Sequence, residues 1–148
     1  MRLQEHIVAS VVVSAGVYAA TRSKAMTIVS FLTGIFLDID HVSDYWIEYP
    51  FSFDLPHFFE TYEVCNVKKN YIWFHCIELL LPLTLISYFT RSAIVIGISM
   101  GFAQHMLFDS IFNHIYPTSY FLYYRWSKGF VSEHIFNHKY QCRESEIP

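Results

Sequence analysis

A chain of 148 residues suffices for one ordinary domain and is too short for two. Apolar and aromatic residues make up 53% of it and charged residues only 16%, against roughly a quarter in average soluble chains, which excludes a disordered chain. A net charge of −3 with pI near 6.2 excludes a basic nucleic-acid footprint, and Cys65, Cys76 and Cys142, without CxxC spacing, exclude a disulfide framework or zinc knuckle.

In chain order, residues 7–20 and 25–37 carry no charge, and the polar break Thr21-Arg22-Ser23-Lys24 between them predicts a helical hairpin. No secretory signal pattern precedes it, because Glu5 interrupts the start and no cleavage site follows residue 20. Residues 42–70 combine aromatics, acids and two prolines, which predicts an interfacial loop with short helical pieces. Residues 71–90 and 92–112, separated by Arg91, predict a second hairpin whose helices have the roughly 20 residues needed to cross a bilayer. Pro82 is expected to bend the third helix just past Glu78, and Gly97 and Gly101 form a GxxxG that permits close helix approach. Beyond residue 112, IYPTSYFLYYRWSKGF is aromatic with a basic end, the composition of a segment at headgroup level.

The fold expected is all-α: an integral membrane bundle of about four apolar helices, forming one domain over 1–148. Its parts are a first hairpin (6–41), an interfacial loop (42–70), a second hairpin (71–112) and an amphipathic to polar C-terminal segment (113–148). A soluble bundle would accommodate the runs of 13 and 14 residues. It has little room to bury runs of 20 and 21 on every face.

All thirteen Asp and Glu residues fall in 1–6, 38–78 or 109–148, away from both hairpin turns. If the first turn is near 21–24, His6 lies level with Asp38, Asp40 and His41. If the second is near Arg91, His75, Glu78, His105 and Asp109 share a level. One end of the bundle therefore carries every acid and every histidine. Helical spacing pairs Asp38 with His41, His75 with Glu78, and His105 with Asp109. Ionisable groups are costly in apolar helices unless they pair, meet water or bind a metal. Asp38, Asp40, His41, His75, His105 and Asp109 are thus candidate metal ligands, with His6 as an auxiliary ligand and Glu78 as a further ligand or a base beside His75. The bland alternative is a polar network that only ties helices together. His57, His114, His134 and His138 read as solvated or hydrogen-bonded side chains, and the HExxH order is absent.

Histidine and carboxylate without thiolate suit a divalent transition metal, Zn²⁺ foremost and Mn²⁺ or Fe²⁺ also, in a hydrolytic site. The surplus of candidates permits one ion or two, and a bridging carboxylate in the latter case. Arg125 and Lys128 follow on the same side as candidate phosphate contacts, with a basic anchor to anionic headgroups as the alternative.

The string Gly34-Ile35-Phe36-Leu37-Asp38-Ile39-Asp40-His41, with His6, His75 and His105-x-x-x-Asp109, resembles the membrane-bound metal-dependent hydrolase family, the YdjM-like proteins. More distantly, the helical His/Asp set is similar to that of the zinc-dependent phospholipase C and P1 nuclease group. The resemblance covers about residues 6–112 and implies a small helical membrane hydrolase. The family's H-R-G-x-T-H-S stretch corresponds to Asn70–Cys76, where Asn70 replaces the first histidine and His75 is the second; His75-Cys76-Ile77-Glu78 fits a His-Ser-x-Glu subgroup.

The function expected is hydrolysis of a phosphoester or lipid-like substrate at the membrane surface through metal-activated water, with Asp40 and Glu78 as catalytic carboxylates. A noncatalytic membrane protein whose cluster binds metal structurally or fixes helix packing is the alternative, and a soluble phosphohydrolase a third reading. Membrane lipid is the expected partner, without nucleic acid. Arg2, Lys68, Lys69, Arg125, Lys128, Lys139 and Arg143 on the site side outnumber Arg22, Lys24 and Arg91 on the turn side. The positive-inside rule then puts the site on the cytoplasmic face of a bacterial-type inner membrane.

Overall fold

The computed structural model describes residues 3–63, 67–113 and 115–135. His114, His138, Cys65, Cys142 and the chain beyond Ile135 lie outside the described residues. Among the described residues eight α-helices follow in order: α1 (Leu3–Thr21), α2 (Lys24–Phe36), α3 (Asp40–Glu48), α4 (Leu55–Glu63), α5 (Leu80–Thr90), α6 (Ala93–Phe112), α7 (Leu122–Ser127) and α8 (Ser132–Ile135). Among the described residues there is no β-strand, only an isolated antiparallel bridge between Lys69 and Val131. Three stretches, Leu3–Thr21, Lys24–Glu48 and Ala93–Phe112, are long and apolar enough to cross a membrane.

The chain forms two compact units. The first comprises Met1–Asp38 and Phe74–Asn113, and so contains both hairpins; the second comprises Ile39–Trp73 and His114–Pro148. In the first unit each hairpin closes on an arginine in the left-handed region. Arg22 donates its backbone N–H to the Tyr18 carbonyl, and Arg91 to that of Ser87. Ser23 then caps α2, its Oγ accepting from Met26 N at 3.3 Å.

Polarity in this unit runs from inside to outside in the reverse of a soluble core. Helix α1 buries His6, Ser10, Ser14 and Val17, at near-helical spacing, and exposes Val8, Val11 and Val12. Helix α2 buries Ser30 and Gly34 and exposes Ile28 and Leu32, while α6 buries Gly97, Gly101, Gln104, His105 and Asp109 together with Phe102 and Met106, and exposes Ile94 and Leu107. Small and polar residues inside an apolar exterior are the arrangement of helices that face lipid, where burial of apolar side chains gives no driving force and close packing does.

The closest packing is between α2 and α6. A Cβ on Gly97 would stand 2.8 Å from the Met26 carbonyl oxygen, and one on Gly101 would strike the Ser30 carbonyl and come within 2.8 Å of Thr33 Cβ. The GxxxG of the sequence thus lies against α2 backbone. Across the α5–α6 hairpin, Ser99 Oγ meets Ser87 Oγ at 2.7 Å.

The third apolar run departs from its expected form. Helix α5 begins only at Leu80 after a single 3₁₀ turn (Ile77–Leu79), so the run 71–90 yields a short helix instead of one of spanning length. Pro82 explains the late start: it lacks the N–H that a helix through residue 78 requires, and its ring would meet that residue's carbonyl. It therefore sits in the first turn of α5, where no N–H is needed, and does not bend a longer helix.

In the second unit, backbone groups just upstream are engaged elsewhere. Asp44 Oδ2 accepts from Tyr71 N at 2.7 Å and Ile72 N at 3.0 Å, and Asn70 N donates to the Phe130 carbonyl at 2.9 Å. Ile72 takes a positive φ of 33°. Asn70 Nδ2 reaches Ser132 Oγ at 3.0 Å, and Ser132 Oγ in turn donates to the Val67 carbonyl. Helices α3 and α4 fall within the expected interfacial loop. Asp54 caps α4 through His57 N, and Tyr45, buried, hydrogen-bonds His57 Nδ1 at 2.6 Å. Phe51, Phe53, Leu55 and Trp126 are exposed on this unit, as suits residues at a lipid boundary.

Two stability effects follow. Gly101→Ala forces α2 and α6 apart and lowers stability by about 1–3 kcal/mol, read as an earlier thermal unfolding transition in detergent. Asp44→Ala strands two buried backbone donors at about 1–3 kcal/mol each, and speeds amide exchange at Tyr71 and Ile72 while leaving α6 protected.

Candidate metal centre

Five of the residues singled out by the sequence converge within the first unit: His6 near the start of α1, Asp38 just past α2, His75 before the 3₁₀ turn, and His105 and Asp109 in the last two turns of α6. His6 Nε2 lies 3.1 Å from Asp109 Oδ1 and 3.8 Å from Asp38 Oδ2. His75 Nε2 lies 3.2 Å from Asp38 Oδ1 and 3.6 Å from Asp109 Oδ2, and His105 Nε2 is 3.3 Å from both of those oxygens. His75 Nε2 and His105 Nε2 are themselves 3.2 Å apart, and the His6 ring stacks on the His105 ring with centroids 4.0 Å apart. His6, His75, His105 and Asp109 are buried, His105 completely; Asp38 keeps 25% of its side chain exposed and is the accessible edge of the cluster.

Three features test whether these donors fit a cation. The first is spacing: donors bound at about 2.0–2.1 Å around a tetrahedral ion stand about 3.3 Å from one another, and the separations here cluster around that value. The second is proton placement. His105 Nδ1 lies 2.9 Å from the Gly34 carbonyl, which only accepts, so Nδ1 carries a proton and Nε2 is the nitrogen that faces the two carboxylates and His75 Nε2. With Nε2 unprotonated, its lone pair is available to a cation held among them. The third is charge. One buried carboxylate, Asp109, and one part-exposed, Asp38, bring a charge of about −2, which one divalent ion neutralises. The alternative of two imidazolium rings would set N–H against N–H across the 3.2 Å between His75 and His105. The residues present therefore fit a divalent metal.

A supporting layer holds the cluster in place. A Cβ on Gly34 would run into Gln104 Nε2 and Ser10 Oγ, and those two atoms are hydrogen-bonded at 2.6 Å. The absent side chain lets α1 and α6 close over the carbonyl that orients His105. Sequence reasoning missed the roles of Ser10 and Gln104. The available signal was a serine, Ser10, four residues after His6 and a glutamine, Gln104, beside His105, inside runs otherwise apolar.

Asp40 and His41 open α3 in the second unit, Asp40 buried and His41 half-buried. Glu78 lies in the 3₁₀ turn and is exposed, and His75 precedes any helix, so the two do not share a helical face. Asp38 and Asp109 both lie within 4 Å of histidine nitrogens in this unit. Arg125, expected at the substrate, is 0% exposed and close enough to Asp44 to interact with its charge, so it serves the interior of the second unit. Lys128 is exposed, its ammonium 5.8 Å from the centroid of the Tyr124 ring.

No protein-family profile matches the chain, and none of the curated proteins or solved structures compared with it is similar.

His105→Ala should abolish stoichiometric metal binding, and Gly34→Ala, whose added Cβ would strike Gln104 and Ser10 beside the carbonyl that orients His105, should weaken it by the ~10–100-fold typical of outer-shell changes. Chelator competition on the purified protein measures both.

Proposed function

We propose that the chain is an integral membrane, metal-dependent hydrolase that acts on a phosphoester at headgroup level. The observation that carries this reading is a five-donor His/Asp cluster with one accessible edge, at Asp38, in a unit whose exterior suits lipid. His6, His75, His105, Asp38 and Asp109 would hold a divalent transition ion, Zn²⁺ by the chemistry of the donor set. When bound, such an ion supplies Lewis-acid polarisation of a phosphoryl oxygen and a nucleophile at neutral pH.

The chain's own residues do the rest. Asp38, the exposed carboxylate, is placed to accept a proton from an incoming water, and the Gly34 carbonyl keeps the His105 proton on Nδ1. The buried walls exclude bulk solvent from the other donors. The likeness of Gly34–His41 to the membrane-bound hydrolase signature supports the same chemistry, and the excess of Lys and Arg on the site side supports a cytoplasmic face in a bacterial-type inner membrane.

A second reading has an observation in its favour: four of the donors, His6, Asp38, His105 and Asp109, lie close enough together to saturate a single ion, as in a structural site that ties α1 and α6 to the end of α2.

Metal analysis of protein purified without chelator should find at least one transition ion per chain. Hydrolysis of phosphomonoester and phosphodiester probes in mixed micelles should vanish with chelator and fall by about 10²-fold or more in Asp38→Asn. Bound metal with no hydrolysis of either probe would establish the structural reading, and absence of metal would sink both.

A further inference from the structure

The two ring contacts of His105 differ in kind. The His6 ring lies nearly parallel to it, at 8° between planes with centroids 4.0 Å apart, so the two stack face to face. The His75 ring stands at 73° to it with centroids 5.1 Å apart, and the two Nε2 atoms meet at 3.2 Å. An imidazole binds a cation through an in-plane lone pair, so the ion lies in the plane of every ring that holds it. Two parallel planes share no point, and stacked rings therefore cannot both aim at one ion. Rings on a single tetrahedral ion, with bonds of about 2.0–2.1 Å, have nitrogens about 3.3 Å apart and centroids about 5 Å apart. His75 and His105 meet both conditions. Distance alone would let His6 join them, but its ring is too close to that of His105 and too nearly parallel. The carboxylates divide in the same way. Asp38 turns Oδ1 to His75 and His105, at 3.2 and 3.3 Å, and Oδ2 to His6, at 3.8 Å. Asp109 turns Oδ2 to His75 and His105, at 3.6 and 3.3 Å, and Oδ1 to His6, at 3.1 Å. Each acid thus presents one oxygen to the His75–His105 pair and the other to His6, the disposition of a carboxylate that bridges two ions. The 4.0 Å between the stacked rings also matches the ~3.5–4 Å that separates the ions of two-metal sites.

We propose that the cluster holds two divalent ions in unequal sites bridged by both carboxylates, and that loading of the second site turns a structural centre into an open one. The inference rests on the metal-binding part of the reading above and divides its five donors. In one site His75 Nε2, His105 Nε2, Asp38 Oδ1 and Asp109 Oδ2 close a tetrahedral shell, the pattern of an ion that holds structure together. In the other, His6 Nε2, Asp38 Oδ2 and Asp109 Oδ1 supply three donors and leave a position for water or an anion. Charge separates the two further. The first ion balances the two carboxylates, whereas the second leaves a surplus of about +2 among largely buried groups, which is costly until an anion fills the open position. The His6 site is therefore the weaker one, and it takes up its ion together with an anion.

The test strips the full chain of metal with chelator in detergent and reloads it with Mn²⁺ alone, read by equilibrium dialysis and electron paramagnetic resonance. Wild type should take up two ions per chain in two steps, and inorganic phosphate should tighten the second step only. The doubly loaded protein should show an exchange-coupled pair, with hyperfine lines at half the spacing of an isolated ion. His6→Ala should lose the second ion and the coupled signal and retain the first ion. Saturation at one ion per chain with phosphate present would overturn the proposal, as would two ions without coupling, or loss of the tight ion in folded His6→Ala. If His6→Ala does not fold, the wild-type stoichiometry and coupling decide. A phosphate effect on the first step, or none on the second, would refute the linkage to an anion. Two coupled ions with no hydrolysis of phosphomonoester or phosphodiester probes would refute the hydrolase reading and leave the paired site standing; hydrolysis by protein that saturates at one ion would refute the pair alone.

Discussion

Where α6 crosses α2, three glycines replace side chains with backbone, and the placement of the clustered His and Asp donors depends on that approach. Gly97 and Gly101 let α6 settle against the Met26 and Ser30 carbonyls, and Gly34 leaves room for Gln104 and Ser10. Only at this separation does His105 Nδ1 reach the Gly34 carbonyl at 2.9 Å. That hydrogen bond fixes which ring nitrogen faces the carboxylates, so helix packing and ligand chemistry are a single constraint. A wider crossing would leave a buried histidine free to choose its tautomer.

The same unit inverts the usual distribution of polarity. In water a serine, a glutamine and two carboxylates inside a small bundle would weigh against the fold. In hydrocarbon the outer face must be apolar whatever lies inside, and the interior is where polar groups find partners. A cluster of three imidazoles and two carboxylates at helix ends is then tolerable if a cation balances it, and that balance is what makes the cluster a candidate centre for chemistry as well as packing.

The second unit shows how a polar network can look like a functional site from sequence. Asp44 and Arg125 are buried and charged, yet the Asp44 carboxylate is occupied by the backbone of Tyr71 and Ile72. Asn70, which stands where the resembled family has a histidine, donates to Ser132 and fastens the segment near 67–71 to that near 130–132. Its work here is structural. Asp44 itself drew no attention in the sequence, because one more acid in an aromatic, acidic loop carries no periodic signal.

Apolar runs, their polar breaks and the gathering of every acid at one end were legible because they depend only on rise per residue and on the cost of charge in hydrocarbon. Those regularities are enough to give the all-helical class, both hairpins and the shared level of His6, Asp38, His75, His105 and Asp109. Only the tertiary structure decided which donors face one another. Rotation about each helix axis is set by small-residue contacts between helices far apart in sequence, as with Gly34 and Gln104. The path of residues 71–76 is set by hydrogen bonds that local periodicity does not encode, and by a proline that delays α5. Hence His75 reaches the cluster from outside any helix while Glu78, three residues on, remains at the surface. Height along the bundle is a property of the sequence; facing is a property of the packing.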